Sequence, residues 1–118
     1  MNKKNTSILL VNMRGYKSKK ESLNRIVSKI KPTVVAINET HLRGRMKVEM
    51  EEFVCWTRNR EGQSGGGVAT AVSKEYSDST VGVGVGEGEE EFIITRLEAF
   101  TPPLTIINYY GEQRKTRR

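Results

Sequence analysis

The chain has little of what several kinds of protein depend on. Its 118 residues include one cysteine, Cys55, one histidine, His41, and one aspartate, Asp78. A lone thiol excludes an internal disulfide framework and any cysteine-cluster metal site. The expected compartment is therefore reducing and intracellular, nuclear or cytoplasmic, and the chain is not expected to be secreted. No run approaches the ~18 apolar residues that a membrane helix needs, so no membrane partner is expected. Ile8 to Val11 form an apolar stretch too short for a signal peptide. No internal repeat is visible.

What the chain does have is positive charge, and it is unevenly spread. The net charge is +6. Residues 1–60 hold 14 Lys and Arg against 5 acidic residues, whereas residues 61–118 hold 6 against 9. A basic half suits a polyanion such as nucleic acid, although lysine-rich solvated helices give the same count.

The first elements are set by pattern. Ser7 to Asn12 (SILLVN) reads as a buried strand and Arg14-Gly15 as a turn. In SKKESLNRIVSKIKP, Ser18 and Glu21 have capping-box spacing. Leu23, Ile26, Val27 and Ile30 make one apolar stripe that should face a sheet, and Pro32 stops the helix. Val34-Val35-Ala36-Ile37 is apolar and mostly β-branched, as in a strand buried on both faces. Strand, helix and strand at this spacing predict a βαβ unit with parallel strands and a right-handed crossover.

Beyond the polar turn HLRGRMK, residues 53–58 and 68–73 read as the two strands of a hairpin. Gly65, Gly66 and Gly67 suit a tight turn and close backbone packing. Cys55 and Trp56 should point to opposite sides, one inward and one outward. The Val/Gly alternation from residue 81 lacks a P-loop pattern and reads as a loose strand or loop. Residues 92–100 and 104–110 are strands around Thr101-Pro102-Pro103. The segments 1–6 and 114–118 are expected to be disordered. The fold class is α/β: a β-α-β unit followed by antiparallel strands.

Three apolar strands run into polar groups: Asn12, Glu39, and Asn108 with Tyr110. One carboxylate and an amide at strand ends are sensible ligands for Mg²⁺, which takes oxygen donors and keeps waters and phosphate in its other positions. Solvated strand ends would look the same. Arg14 and Lys17, near Asn12, suit phosphate contacts or an ordinary solvated loop.

These phrases, LLVNMRG, VVAINETHL, GGGVATAVS and TIINYYGEQ in that order, resemble the endonuclease/exonuclease/phosphatase superfamily. More narrowly, they are similar to the apurinic-type endonuclease domains of non-LTR, RTE-like retrotransposons, over roughly Ile8 to Gln113. The resemblance implies a two-sheet α/β sandwich and Mg²⁺-dependent hydrolysis of DNA phosphodiesters, with Mn²⁺ as a substitute. It makes Glu39 the metal-ligating glutamate and Asn12 the asparagine that helps hold metal or orients the phosphate. Tyr110 becomes the tyrosine at the scissile phosphate, so the three should converge on one pocket. His41 takes the place of a DNA-facing residue or a solvated one, Asn108 lies on the phosphate side, and Gln113 stands where many relatives have an asparagine that contacts the phosphate.

The family domain is about twice this length. Its aspartate–asparagine and terminal aspartate–histidine pairs have no counterpart here. Residues 1–118 are thus expected to be one partial domain, the N-terminal half of the sandwich, with an uncovered apolar face. The implied partners are DNA, the remainder of the endonuclease domain and a downstream reverse transcriptase; the oligomeric state is open. The fragment is expected to lack efficient cleavage. The competing readings are a non-catalytic nucleic-acid-binding remnant and a phosphatase of the same superfamily.

Overall fold

A computed structural model of the chain describes residues 6–60, 65–86 and 91–110. It is a mixed α/β structure of two packed sheets and one α-helix. The elements are β1 (Ile8–Asn12), α1 (Tyr16–Ile30), β2 (Val34–Asn38), β3 (Phe53–Arg58), β4 (Val68–Ser73), a 3-10 helix (Lys74–Ser79), β5 (Thr80–Val85), β6 (Phe92–Leu97) and β7 (Leu104–Tyr109). One sheet has the order β1-β2-β4-β3 and the other the order β5-β6-β7. β1 and β2 run parallel with α1 between them, and β4 pairs antiparallel with both β2 and β3. The second sheet is antiparallel throughout. Among the described residues, no helix is long and apolar enough to cross a membrane.

β2 is central because both of its faces are apolar. Val35 and Ile37 face α1, in a core with Leu23, Val27, Ala69 and Ala71. Val34 faces the second sheet, in a smaller core with Val72 and Leu97. Val34, Val35 and Ile37 are fully buried, and each such side chain contributes about 1.5–3 kcal/mol relative to exposure. Cys55 packs on the helix side and Trp56 on the inter-sheet side. Neither points outward, as alternation with one solvent face had predicted, because β3 lies in a sheet covered on both sides.

Several local expectations are corrected. The helix begins at Tyr16, so Ser18 and Glu21 lie inside it, and the start has no side-chain cap. Instead, the N–H groups of Gly15 and Tyr16 donate to the carbonyls of Glu39 and Thr40 at 3.0 and 2.8 Å. The buried stripe is accordingly Tyr16, Leu23 and Val27, while Ile26 and Ile30 are about half exposed. β1 is an edge strand, with Leu10 75% exposed, because no strand of the second sheet covers its inter-sheet face. The strands predicted at 92–100 and 104–110 end at Leu97 and Tyr109. The Val/Gly segment does form a strand, β5, with a bulge between Gly82 and Gly84. Val81, Val83, Ile107 and Tyr109 of the second sheet are exposed.

Candidate active site

β1 and β2 end side by side, in register from Ile8–Val34 to Asn12–Asn38. Parallel pairing therefore delivers Asn12 and Glu39 to the same edge. The chain then turns sharply in both places. Arg14, Glu39 and His41 all have positive φ, near 50–58°, a backbone region that non-glycine residues rarely occupy and that clusters at functional sites. The turns are held by main-chain bonds. Met13 N–H donates to Asn38 C=O at 3.0 Å, Glu39 N–H to Gly67 C=O at 2.8 Å and His41 N–H to Gly66 C=O at 2.8 Å.

Glu39 is the centre of this edge. Its Oε2 accepts from Asn12 Nδ2 at 3.1 Å and from the Tyr110 hydroxyl at 3.2 Å, and its Oε1 lies 3.4 Å from His41 Nε2. The structure thus brings together Asn12, Glu39, His41 and Tyr110, from three strands of two sheets. Burial alone would push the Glu39 carboxyl up, but the donations from Asn12, Tyr110 and His41, with the Arg14 charge, outweigh it and hold the group below its ordinary value. Tyr110 moves the other way. Burial, the Glu39 charge and the hydrogen bond to it raise the phenol above its usual value, so it stays a donor at neutral pH.

A depressed carboxyl contributes stability above the ordinary carboxylate range and loses it as pH falls through the folded-state pKa. We expect the Glu39 carboxyl carbon, followed by NMR, to titrate below its ordinary range, and Asn12→Ala to move that midpoint upward. An unmoved midpoint would show that the Asn12 contact does not form in solution.

Asn108 lies inside the fold. Expected on the phosphate side, it is 5% exposed between the sheets. Its Nδ2 lies 3.3, 2.8 and 3.2 Å from Ile37 C=O, Ala69 C=O and Thr70 Oγ1, and its Oδ1 accepts from Asn38 Nδ2 at 3.1 Å. The amide is a clamp between sheets, its NH₂ and its oxygen both engaged inside the protein. Arg14 and Lys17 are exposed near the Asn12 end, on the turn and the first turn of α1. Gln113 and the segments 1–5 and 114–118 lie outside the described residues; Thr6, the last of the segment expected to be disordered, is described and exposed.

Sequence reasoning missed Arg60 and Glu91. Glu91 is 5% exposed as a side chain, and its Oε2 accepts from Arg60 Nε at 2.5 Å while Oε1 accepts from Gly67 N–H at 2.7 Å. The Arg60 guanidinium lies 5.8 Å from the centre of the Tyr110 ring. The only signal was an acidic residue at the threshold of an apolar strand, hidden in an acidic run.

The residues fit a hard cation only sparely. Among the described residues no three His, Cys, Asp or Glu side chains converge as a metal cluster. Mg²⁺ commonly uses one or two carboxylates and otherwise water and phosphate. A carboxylate has about four lone-pair positions, and Glu39 has three donors around it. Asn12 presents its NH₂ to Glu39, so ligation by Asn12 would use its other atom, Oδ1.

No protein-family model matches the chain, and no curated protein does. Among solved structures it is similar to the AP endonuclease LMAP from Leishmania major, with a TM-score of 0.75 and 14% sequence identity over 89% of this chain and 40% of that one. The chain thus spans about two fifths of the length of that structure. The likeness is one of fold: the mixed α/β arrangement of two sheets and one helix matches part of that AP endonuclease structure.

Proposed function

We propose that the chain is part of a Mg²⁺-dependent DNA endonuclease of the nicking type used by non-LTR retrotransposons. The observation that carries the reading is Glu39, ionised and held by Asn12, Tyr110 and His41 from three strands. The nuclease-type fold supports it, as do the phrases NETHLRG and NYYGEQ and the basic first half of the sequence. In this reading Glu39 holds the ion, with Asn12 beside it. The ion, when bound, neutralises charge that develops on the phosphoryl oxygens. Tyr110 keeps its proton, which it donates in a hydrogen bond to Glu39 in this structure, and the hydroxyl would have to turn from that carboxylate to donate to a phosphate oxygen beside it. Arg14 and Lys17 supply exposed positive charge along the same rim for the DNA backbone, with the His41 ring beside Glu39. The remainder of an endonuclease domain and a downstream reverse transcriptase are the partners this reading adds.

The second reading, a nucleic-acid-binding remnant without chemistry, is favoured by one observation: Glu39 is the only carboxylate of the described cluster, and its only imidazole, His41, is spent on Glu39. General acid–base help contributes about 10²–10⁴-fold, and among the described residues of the cluster no second carboxylate or imidazole is left to supply it. Two measurements decide. Mn²⁺ added to the labelled protein should broaden the NMR signals of Asn12, Glu39 and Tyr110, and Glu39→Gln should abolish the effect. The protein should also bind a DNA duplex with an affinity that falls steeply with salt. Plasmid nicking above background that disappears in Glu39→Gln would make the chain an enzyme; DNA binding with background nicking would make it the remnant. If neither Mn²⁺ nor DNA binds, the reading fails.

A further inference from the structure

Glu91 does more than neutralise Arg60. Its backbone carbonyl accepts the N–H of Tyr110 at 2.9 Å. Its side chain accepts the N–H of Gly67 at 2.7 Å, and the carbonyl of Gly67 in turn accepts the N–H groups of Glu39 and Thr40 at 2.8 and 3.2 Å. The Tyr110 hydroxyl on Glu39 Oε2, at 3.2 Å, closes the circuit. A ring of hydrogen bonds therefore runs from Glu39 to Tyr110, Glu91, Gly67 and back to Glu39, and Arg60, held by Glu91, stacks its guanidinium near the Tyr110 ring.

Such an arrangement is costly as a stability device. A carboxylate 5% exposed is desolvated, and a well-packed apolar side chain often stabilises a fold equally well or better. Any residue here would supply the main-chain carbonyl that holds Tyr110, but an apolar one would lack the side-chain acceptors that tie the same strand to Gly67 N–H and Arg60. From this circuit we propose that Glu91, with Arg60, is a positioning residue that fixes the Tyr110 hydroxyl against the Glu39 carboxylate and so sets the geometry of the cation site. The inference rests on the functional reading above for the cation, but not for the tyrosine.

The test separates the two. Glu91→Gln keeps the size and leaves one acceptor for two donors, so either Gly67 N–H or Arg60 Nε–H loses its partner. Arg60→Lys keeps the charge but removes the Nε–H and the planar face. Each variant is compared with Glu98→Gln, which breaks the exposed Arg96–Glu98 pair (3.3 Å) in the same region of the chain. The readouts are the Tyr110 ring resonances, assigned by Tyr110→Phe, and Mn²⁺ affinity by electron paramagnetic resonance. Expected are displaced ring resonances and Mn²⁺ binding weakened about tenfold in both site variants, with neither change in Glu98→Gln. Variants that melt earlier but keep the ring resonances would overturn the proposal, since Glu91 would then only stabilise the fold. If the unaltered protein binds no Mn²⁺, the cation reading has failed and the ring resonances alone decide the positioning role. If Glu91→Gln does not fold, Arg60→Lys decides by the same readouts.

Discussion

Replacing Asn108 by alanine is expected to lower the unfolding free energy by about 3–5 kcal/mol, as the sum of several lost or orphaned buried hydrogen bonds. The amide meets Ile37 and Ala69 carbonyls, the Thr70 hydroxyl and the Asn38 amide. Thr70 is fully buried, so water cannot readily replace the missing partner. Against a net stability of about 5–15 kcal/mol for a domain, the loss is large. Asn108→Leu, of similar size, separates the missing bonds from the missing volume and should be nearly as damaging. Urea unfolding provides the measurement. A loss below about 1 kcal/mol in both variants would mean that the sheets are not joined through this amide. Because Tyr110 follows two residues later, the same variants should also loosen the tyrosine from Glu39.

The second large effect is expected at Gly67. It has φ +92°, and a Cβ placed there would lie 2.4 Å from the hydroxyl oxygen of Thr40, whose side chain is fully buried. Gly67→Ala combines a backbone conformation that L side chains rarely adopt with a clash against a buried hydroxyl, and about 2–4 kcal/mol should be lost. The carbonyl of Gly67 also holds Glu39 and Thr40, so Mn²⁺ binding should fall with stability. Gly44 is the control. It too has positive φ, +60°, but nothing lies within 4 Å of an added Cβ, so Gly44→Ala should show only a smaller conformational cost. Equal losses at the two positions would show that the contact with Thr40 is not what makes Gly67 necessary.

Much of the fold is legible along the chain because its signals are local. The apolar run at Val34–Ile37 needs only its own composition to be read as a central strand, and the hairpin strands at 53–58 and 68–73 follow from the glycine-rich turn between them. The convergence of Asn12 and Glu39 was also readable, since parallel strands joined by a helix must end at the same edge. The start of α1 was not. Its cap is supplied by the carbonyls of Glu39 and Thr40, and no local motif announces an acceptor that arrives from the far side of the crossover.

The same limit separates Asn108 from Tyr110. Both are polar, two residues apart and on the same side of β7, and pattern alone gave them similar roles. The second sheet decides between them: Asn108 lies over β2 and β4, where their carbonyls take up its amide, while Tyr110 lies just past the strand end and reaches Glu39. Glu91 and Arg60 are 31 residues apart, and Tyr110 and Glu39 are 71 apart. The sequence by itself determined the strands, the crossover and the carboxylate at the sheet edge, because these follow from periodicity and chirality over a few residues. Only the tertiary structure decided which polar side chains meet that carboxylate and which are spent inside, because a hydrogen bond depends on distance in space and burial, and neither is written in the order of the chain.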